Sequence, residues 1–207
     1  MIGVSASDSM ISDNPFLRNS QLQLNYPEFN LIKDEHYLSA FEIGMTEHLR
    51  EIRDIVEQKE DPGFENTIVA LELSGQIYSR VARVFFSMSS AHTNDEIRRL
   101  EQVLAPRLAS HEDSIYLNQQ LFLRIEKLYQ ARNSLQLDAE SKRLLEQTYK
   151  NFQRAGAALN EADKEKLKGL NAELAALETR FSQNILDESN GLAIIVDSRE
   201  ELVGLSE

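Results

Sequence analysis

Apolar residues recur every three or four positions along most of this chain, and they are densest between Phe64 and Asn94. The spacing predicts a first long helix from Asp34, as N-cap, to about Gln58, with Leu38, Phe41, Met45, Leu49, Ile52 and Val56 forming one stripe. Asp61-Pro62-Gly63 forces a turn. A second helix follows, capped by Asn66 or Thr67. Ile68, Leu71, Gly75, Tyr78, Ala82 and Phe85 share one of its faces, while Leu73, Ile77, Val81, Val84 and Phe86 occupy the others. A helix apolar nearly all round is expected at the centre of a bundle, with Gly75 and Ala82 admitting a close neighbour.

Thr93-Asn94-Asp95-Glu96 matches a capping box and predicts a third helix lined by Ile97, Leu100, Leu104 and Leu108, kinked or ended by Pro106. Asn118 caps a shorter fourth helix carrying Leu121, Phe122, Ile125, Leu128 and Tyr129. Asp138 caps a fifth with Leu144, Leu145, Tyr149, Phe152 and Leu159. The sixth, from about Glu161 to Glu188, repeats Leu167, Leu170, Leu174, Leu177, Phe181 and Ile185 almost as a heptad. Burying those six would contribute on the order of 10 kcal/mol before entropy. Helices five and six form a long antiparallel hairpin or fuse with a bend near Gly156 and Asn160; the stripe serves a bundle or a coiled-coil dimer.

Both ends depart from this pattern. Residues 14 to 33 read as extended chain laid across the helices through Phe16, Leu22, Leu24, Tyr26, Phe29, Leu31 and Ile32. Leu192 to Val196 reads as a short strand, followed by a helix beginning at Arg199. A lone strand needs a partner, so the chain is expected to continue past Glu207. The expected fold class is all-α: a bundle of about six helices with long antiparallel members, an extended N-terminal segment and one short C-terminal strand. Residues 1 to 13 are expected as a disordered tail, with Met10 an alternative start, and 14 to 207 as one helical domain.

Composition narrows the function classes. The 207 residues include no cysteine, which removes disulfides, thiolate nucleophiles and Cys-ligated zinc. A net charge of −12 disfavours nucleic acid, and basic pairs such as Arg98-Arg99 have acidic neighbours. No run approaches a membrane span, and the first residues lack the charged start and apolar middle of a signal peptide.

No complete catalytic motif is present. Of His36, His48, His92 and His111, no pair has zinc-ligand spacing. His111-Glu112-x-x-Ile115 begins like His-Glu-x-x-His but has Ile115 where the second ligand belongs. Glu-x-x-His, phosphate-binding glycine and nucleophilic-serine patterns are missing as well. Glu60/Asp61 and Asp95/Glu96 lie at helix ends, where they serve caps and dipoles. His92, after the central helix, stands out among single residues, a structural role being the simpler reading. Catalytic and metal residues are accordingly expected to be none, and substrate-binding residues stay unassigned.

Several stretches carry more than periodicity. Asn14-Pro15-Phe16-Leu17, Asn66-Thr67-Ile68-x-Ala70-Leu71-Glu72-x-Ser74-Gly75 and Val84-Phe85-Phe86-x-Met88-x-x-Ala91-His92-Thr93-Asn94-Asp95 resemble the start of bacterial dipeptidyl carboxypeptidases, in the thimet-oligopeptidase family of zinc peptidases. Ile115-Tyr116-Leu117-Asn118, Ala162-Asp163-Lys164-x-Lys166-Leu167-Lys168-x-Leu170-Asn171 and Phe181-x-Gln183 fit too. The resemblance implies a larger helical enzyme whose two halves enclose a narrow channel for short peptides. In it, zinc is held by a His-Glu-x-x-His helix and a further glutamate, and dipeptides are released from C-termini.

None of those catalytic residues can be placed here. The expected role is an N-terminal channel-wall domain, inactive alone, with the C-terminal catalytic domain of the same chain and short peptides as partners. Zinc would be a cofactor of the parent only, and the cytoplasm is the expected compartment, with the periplasm still open. The other reading is a free-standing interaction module using Phe85 and Phe86, or the stripe from Leu167 to Ile185.

Overall fold

The computed structural model describes residues 13–192 together with 196, 198, 199, 203 and 204. Six long helices are present among the described residues: α1 (Asp34–Val56), α2 (Gln76–Ala91), α3 (Asp95–Tyr116), α4 (Gln119–Ala131), α5 (Ala139–Arg154) and α6 (Glu161–Gly191). Between α1 and α2, a π-helical turn at Phe64–Val69 runs into one α-turn at Ala70–Glu72. Residues 193–195 of the expected strand, and most of the helix after it, lie outside the described residues.

Helix α1 carries the architecture. Its first half packs with α2, Phe16 and the start of α3 around Tyr37, Phe41, Val81, Phe85, Ile97, Leu100 and Leu104. Its second half packs with the 64–72 turns, the end of α3, α4 and α5 around Ile52, Ile55, Ile68, Leu121, Ile125, Leu145 and Phe152. Edge-on aromatic contacts knit the first core, with Phe85 5.1 Å from Tyr37 and 5.5 Å from Phe41. Helices α1 and α2 approach so closely that a Cβ on Gly44 would lie 2.9 Å from the Tyr78 backbone nitrogen.

Two caps fall where the sequence places them, and three are displaced. Asn118 and Asp138 accept from the backbone N–H groups of Leu121 (3.0 Å) and Ser141 (2.7 Å). The third helix is capped by Asn94, which accepts from Ile97 N at 2.8 Å, and not by Thr93. Its Glu96 binds Arg99 instead of closing a capping box. Asp34 is the first residue of α1 rather than its cap, and His36 Nδ1 accepts from Lys33 N at 3.0 Å. Asn66 sits inside its turn and reaches back to accept from Gly63 N at 2.8 Å.

Larger expectations are corrected too. The single central helix is broken at Gly75, whose φ of 68° ends one segment and starts the next. Pro106 does not end α3: the helix continues to Tyr116, with buried Leu104 on one side of it and Leu108 on the other. Of the N-terminal apolar residues, Phe16 is buried and Ile32 packs on the core, whereas Leu22, Leu24, Tyr26, Phe29 and Leu31 are exposed. Arg80 holds this segment by donating to the carbonyls of Phe16 and Arg18.

Helix α6 lies along α3 and does not form the expected hairpin with α5. Polar bonds bridge the two helices. Asn171 Nδ2 donates to Asp113 Oδ1 at 2.6 Å, Gln183 Nε2 to Arg98 O at 3.0 Å, and Arg98 pairs with Asp187. Leu167 is partly buried beside Gly156, and beyond it the heptad-like stripe faces outward. Leu170, Leu174, Leu177, Phe181 and Ile185 are 50–67% exposed, so the burial expected for them is not realised within the chain.

Gly44→Ala is expected to destabilise the fold by about 1–3 kcal/mol, because the methyl group meets main chain that cannot rotate away. Urea unfolding would show a lower midpoint at unchanged slope.

Candidate functional site

The seam between the two cores holds a cavity of about 240 Å³ lined by His48, Ile68, Leu71, Glu72, Ser74, Tyr78, His111, Glu112, Ile115, Tyr116, Thr148, Asn151 and Phe152. Position and backbone chemistry bring these together. His48 stands halfway along α1, where the stripe passes from one core to the other. Gly75 makes room for it: a Cβ there would lie 2.7 Å from the His48 ring. The Gly75 N–H donates to Glu51 Oε2 at 2.7 Å, fixing the break against α1.

A directed hydrogen-bond chain crosses the cavity wall. Ser74 Oγ donates its one proton to Leu71 O at 2.7 Å. It must therefore accept from His48 Nε2, at 3.1 Å. That tautomer leaves His48 Nδ1 as an acceptor, so His111 Nε2 donates to it across 3.0 Å. The assignment follows from the donor inventory. His111 is only 4% exposed, and its Nδ1 ends the chain buried and without a partner.

The surroundings favour neutral rings and concentrate negative charge. Burial pushes His111 down to about 4, with neighbouring His48 adding to the shift, and burial likewise lowers His48 against the pull of Glu51. Burial, then Asp113, raises the Glu112 carboxyl. Tyr78 is pushed up to about 12 by burial and then by Glu112, and Tyr116 is raised by burial, Glu112 and Glu72. Among the described residues, the lining contains no lysine or arginine.

The sequence singled out His92, which is exposed at the end of α2 with its N–H bonded to Met88 O at 2.8 Å. The His48–His111 pair escaped notice because its members are 63 residues apart, beyond any local spacing rule. One signal was available: His48 falls on the apolar stripe between Met45 and Ile52, where a polar side chain needs a partner. Glu60, Asp61 and Asp95 are exposed, and Asp61 pairs with Lys127. Phe85 is buried, so of the two phenylalanines only Phe86 offers surface.

Stability should fall on acidification. The unfolded His111 binds a proton near 6.5, whereas the folded ring stays neutral to about 4. The neutral ring's contribution is fully present above the higher value and is lost as pH falls toward the lower, by up to about 1.4 kcal/mol per pH unit. His111→Gln should flatten that dependence relative to the parent in urea titrations.

No protein-family profile matches the chain. It is 44% identical over 198 residues to dipeptidyl carboxypeptidase of Escherichia coli, a match covering 96% of this chain and 29% of that enzyme. The Salmonella typhimurium dipeptidyl carboxypeptidase is 45% identical over 196 residues, covering 95% and 29%. Oligopeptidase A of Haemophilus influenzae is 25% identical over 201 residues, covering 96% and 28%. The chain thus spans under a third of the length of the curated relatives it matches. Over almost all of its own residues, the chain is similar to the bacterial dipeptidyl carboxypeptidases and, more weakly, to oligopeptidase A.

Proposed function

We propose that this chain is the N-terminal, channel-wall domain, residues 14 to 207, of a zinc peptidyl-dipeptidase that releases C-terminal dipeptides from short peptides in the cytoplasm. The observation that carries the reading is the 44% identity to a dipeptidyl carboxypeptidase across nearly all of this chain. The exposed stripe on α6 supports it, since five large apolar side chains in one row belong against another surface. In this reading the surface is the catalytic part of the same enzyme.

The donor set here does not fit zinc. Among the described residues no three metal-ligating side chains come together, and His48 and His111 spend their facing nitrogens on each other. Zinc therefore belongs to the part of the parent that carries the ligands, and this domain's contribution is to shape and support. The same stripe also favours a second reading, a free-standing module that binds another protein through α6.

With zinc and a blocked tripeptide, the purified chain should show no hydrolysis, and adding the remainder of the enzyme should restore it. Leu177→Glu with Phe181→Glu should weaken that reassembly about tenfold or more while moving stability by no more than about 0.5 kcal/mol per site. Turnover by the chain alone would overturn the channel-wall reading. A stop codon after Glu207 in the native reading frame would establish the module instead.

A further inference from the structure

The outward row on α6 has ordered charges beside it. Leu170, Leu174, Leu177 and Phe181 follow the alternating four- and three-residue steps of a coiled-coil seam, with Ile185 beyond them, and all five are 50–67% exposed. With Leu174 and Phe181 as a positions and Leu170 and Leu177 as d positions, the g positions along one flank are Lys166, Glu173, Arg180 and Asp187. Their signs alternate at every heptad. The central two, Glu173 and Arg180, are exposed and have no ion-pair partner among the described residues, whereas Lys166 binds Asp163 and Asp187 binds Arg98.

We infer that this row is the interface of an antiparallel homodimer, covered by α6 of a second copy of the chain. In an antiparallel pair the a positions of one helix meet the d positions of the other, and the two g flanks meet each other. One register sets Leu174 against the partner's Leu177 and Leu170 against the partner's Phe181. The same register sets Glu173 against the partner's Arg180 and Lys166 against the partner's Asp187, so every g contact joins opposite charges. Sliding one helix by a heptad either way sets Glu173 against the partner's Glu173, or Arg180 against the partner's Arg180. A parallel pair sets Glu173 against the partner's Glu178. The charges therefore reject the alternatives as well as favouring this arrangement. Pairing takes five large apolar side chains of each copy out of water, on the order of 1,000 Å² in all, the size at which specific interfaces begin. The inference goes beyond the channel-wall reading. It concerns the chain by itself, and the remainder of a parent enzyme would compete with the second copy for the same row.

The test is sedimentation equilibrium of the purified chain, which should give twice the chain mass in the micromolar range and above. Arg180→Glu and Glu173→Arg each turn the two central attractions into repulsions, and each should weaken the dimer about tenfold. Both positions are exposed, so the urea midpoint of each variant should stay at the parent value. Combining the two reversals in one chain should restore the dimer. Mixing the two single variants should restore it as well, because each then meets its opposite. In a parallel dimer Glu173→Arg would instead strengthen pairing, since it would face the partner's Glu178. A monomer throughout that range, a dimer strengthened by Glu173→Arg, or a dimer indifferent to both reversals would overturn the proposal. The channel-wall reading is tested by hydrolysis and reassembly, so it can fail without moving this result.

Discussion

Helix α1 has to serve two cores at once, and the rest of the structure follows from how it does so. Its first half needs α2 within backbone contact, which Gly44 permits. Its second half needs the 64–72 turns on the same side, so the chain between them cannot be one straight helix. Gly75 supplies the break, in a conformation other residues rarely adopt. Two well-packed clusters then meet at a seam that neither fills, and His48 stands there on the shared helix.

Much of this arrangement was legible in the sequence because it is local. All six long helices, the caps at Asn118 and Asp138, and the helix break at Asp61 to Gly63 are consequences of short-range chemistry. The errors arose where a tertiary contact overrides a local rule. Gly75 looked like a small residue for close packing, but its neighbours impose a left-handed turn, and the close approach belongs to Gly44. Pro106 should have stopped a helix that continues to Tyr116, with buried leucines on both sides of it. The α6 stripe was read correctly as apolar and wrongly as buried, since periodicity shows which residues share a face but not what that face meets. The histidine pair was illegible for a related reason: helix packing joins it, not spacing along the chain.

The likeness to dipeptidyl carboxypeptidases spans almost all of this chain, and among its described residues no three metal-ligating side chains come together. What the chain does assemble is a rigid two-core scaffold, an outward apolar row and a small polar cavity.

The bond between Asn171 and Asp113 connects two of those surfaces. Asp113 is the immediate neighbour of Glu112, which forms part of the cavity wall, and Asn171 lies beside Leu170 and Leu174 on α6. A body that grips the outer face of α6 thus also holds, through one amide and one carboxylate, the backbone that carries Glu112. The outer row and the inner cavity thus share one helix pair, joined at this point by an amide and a carboxylate.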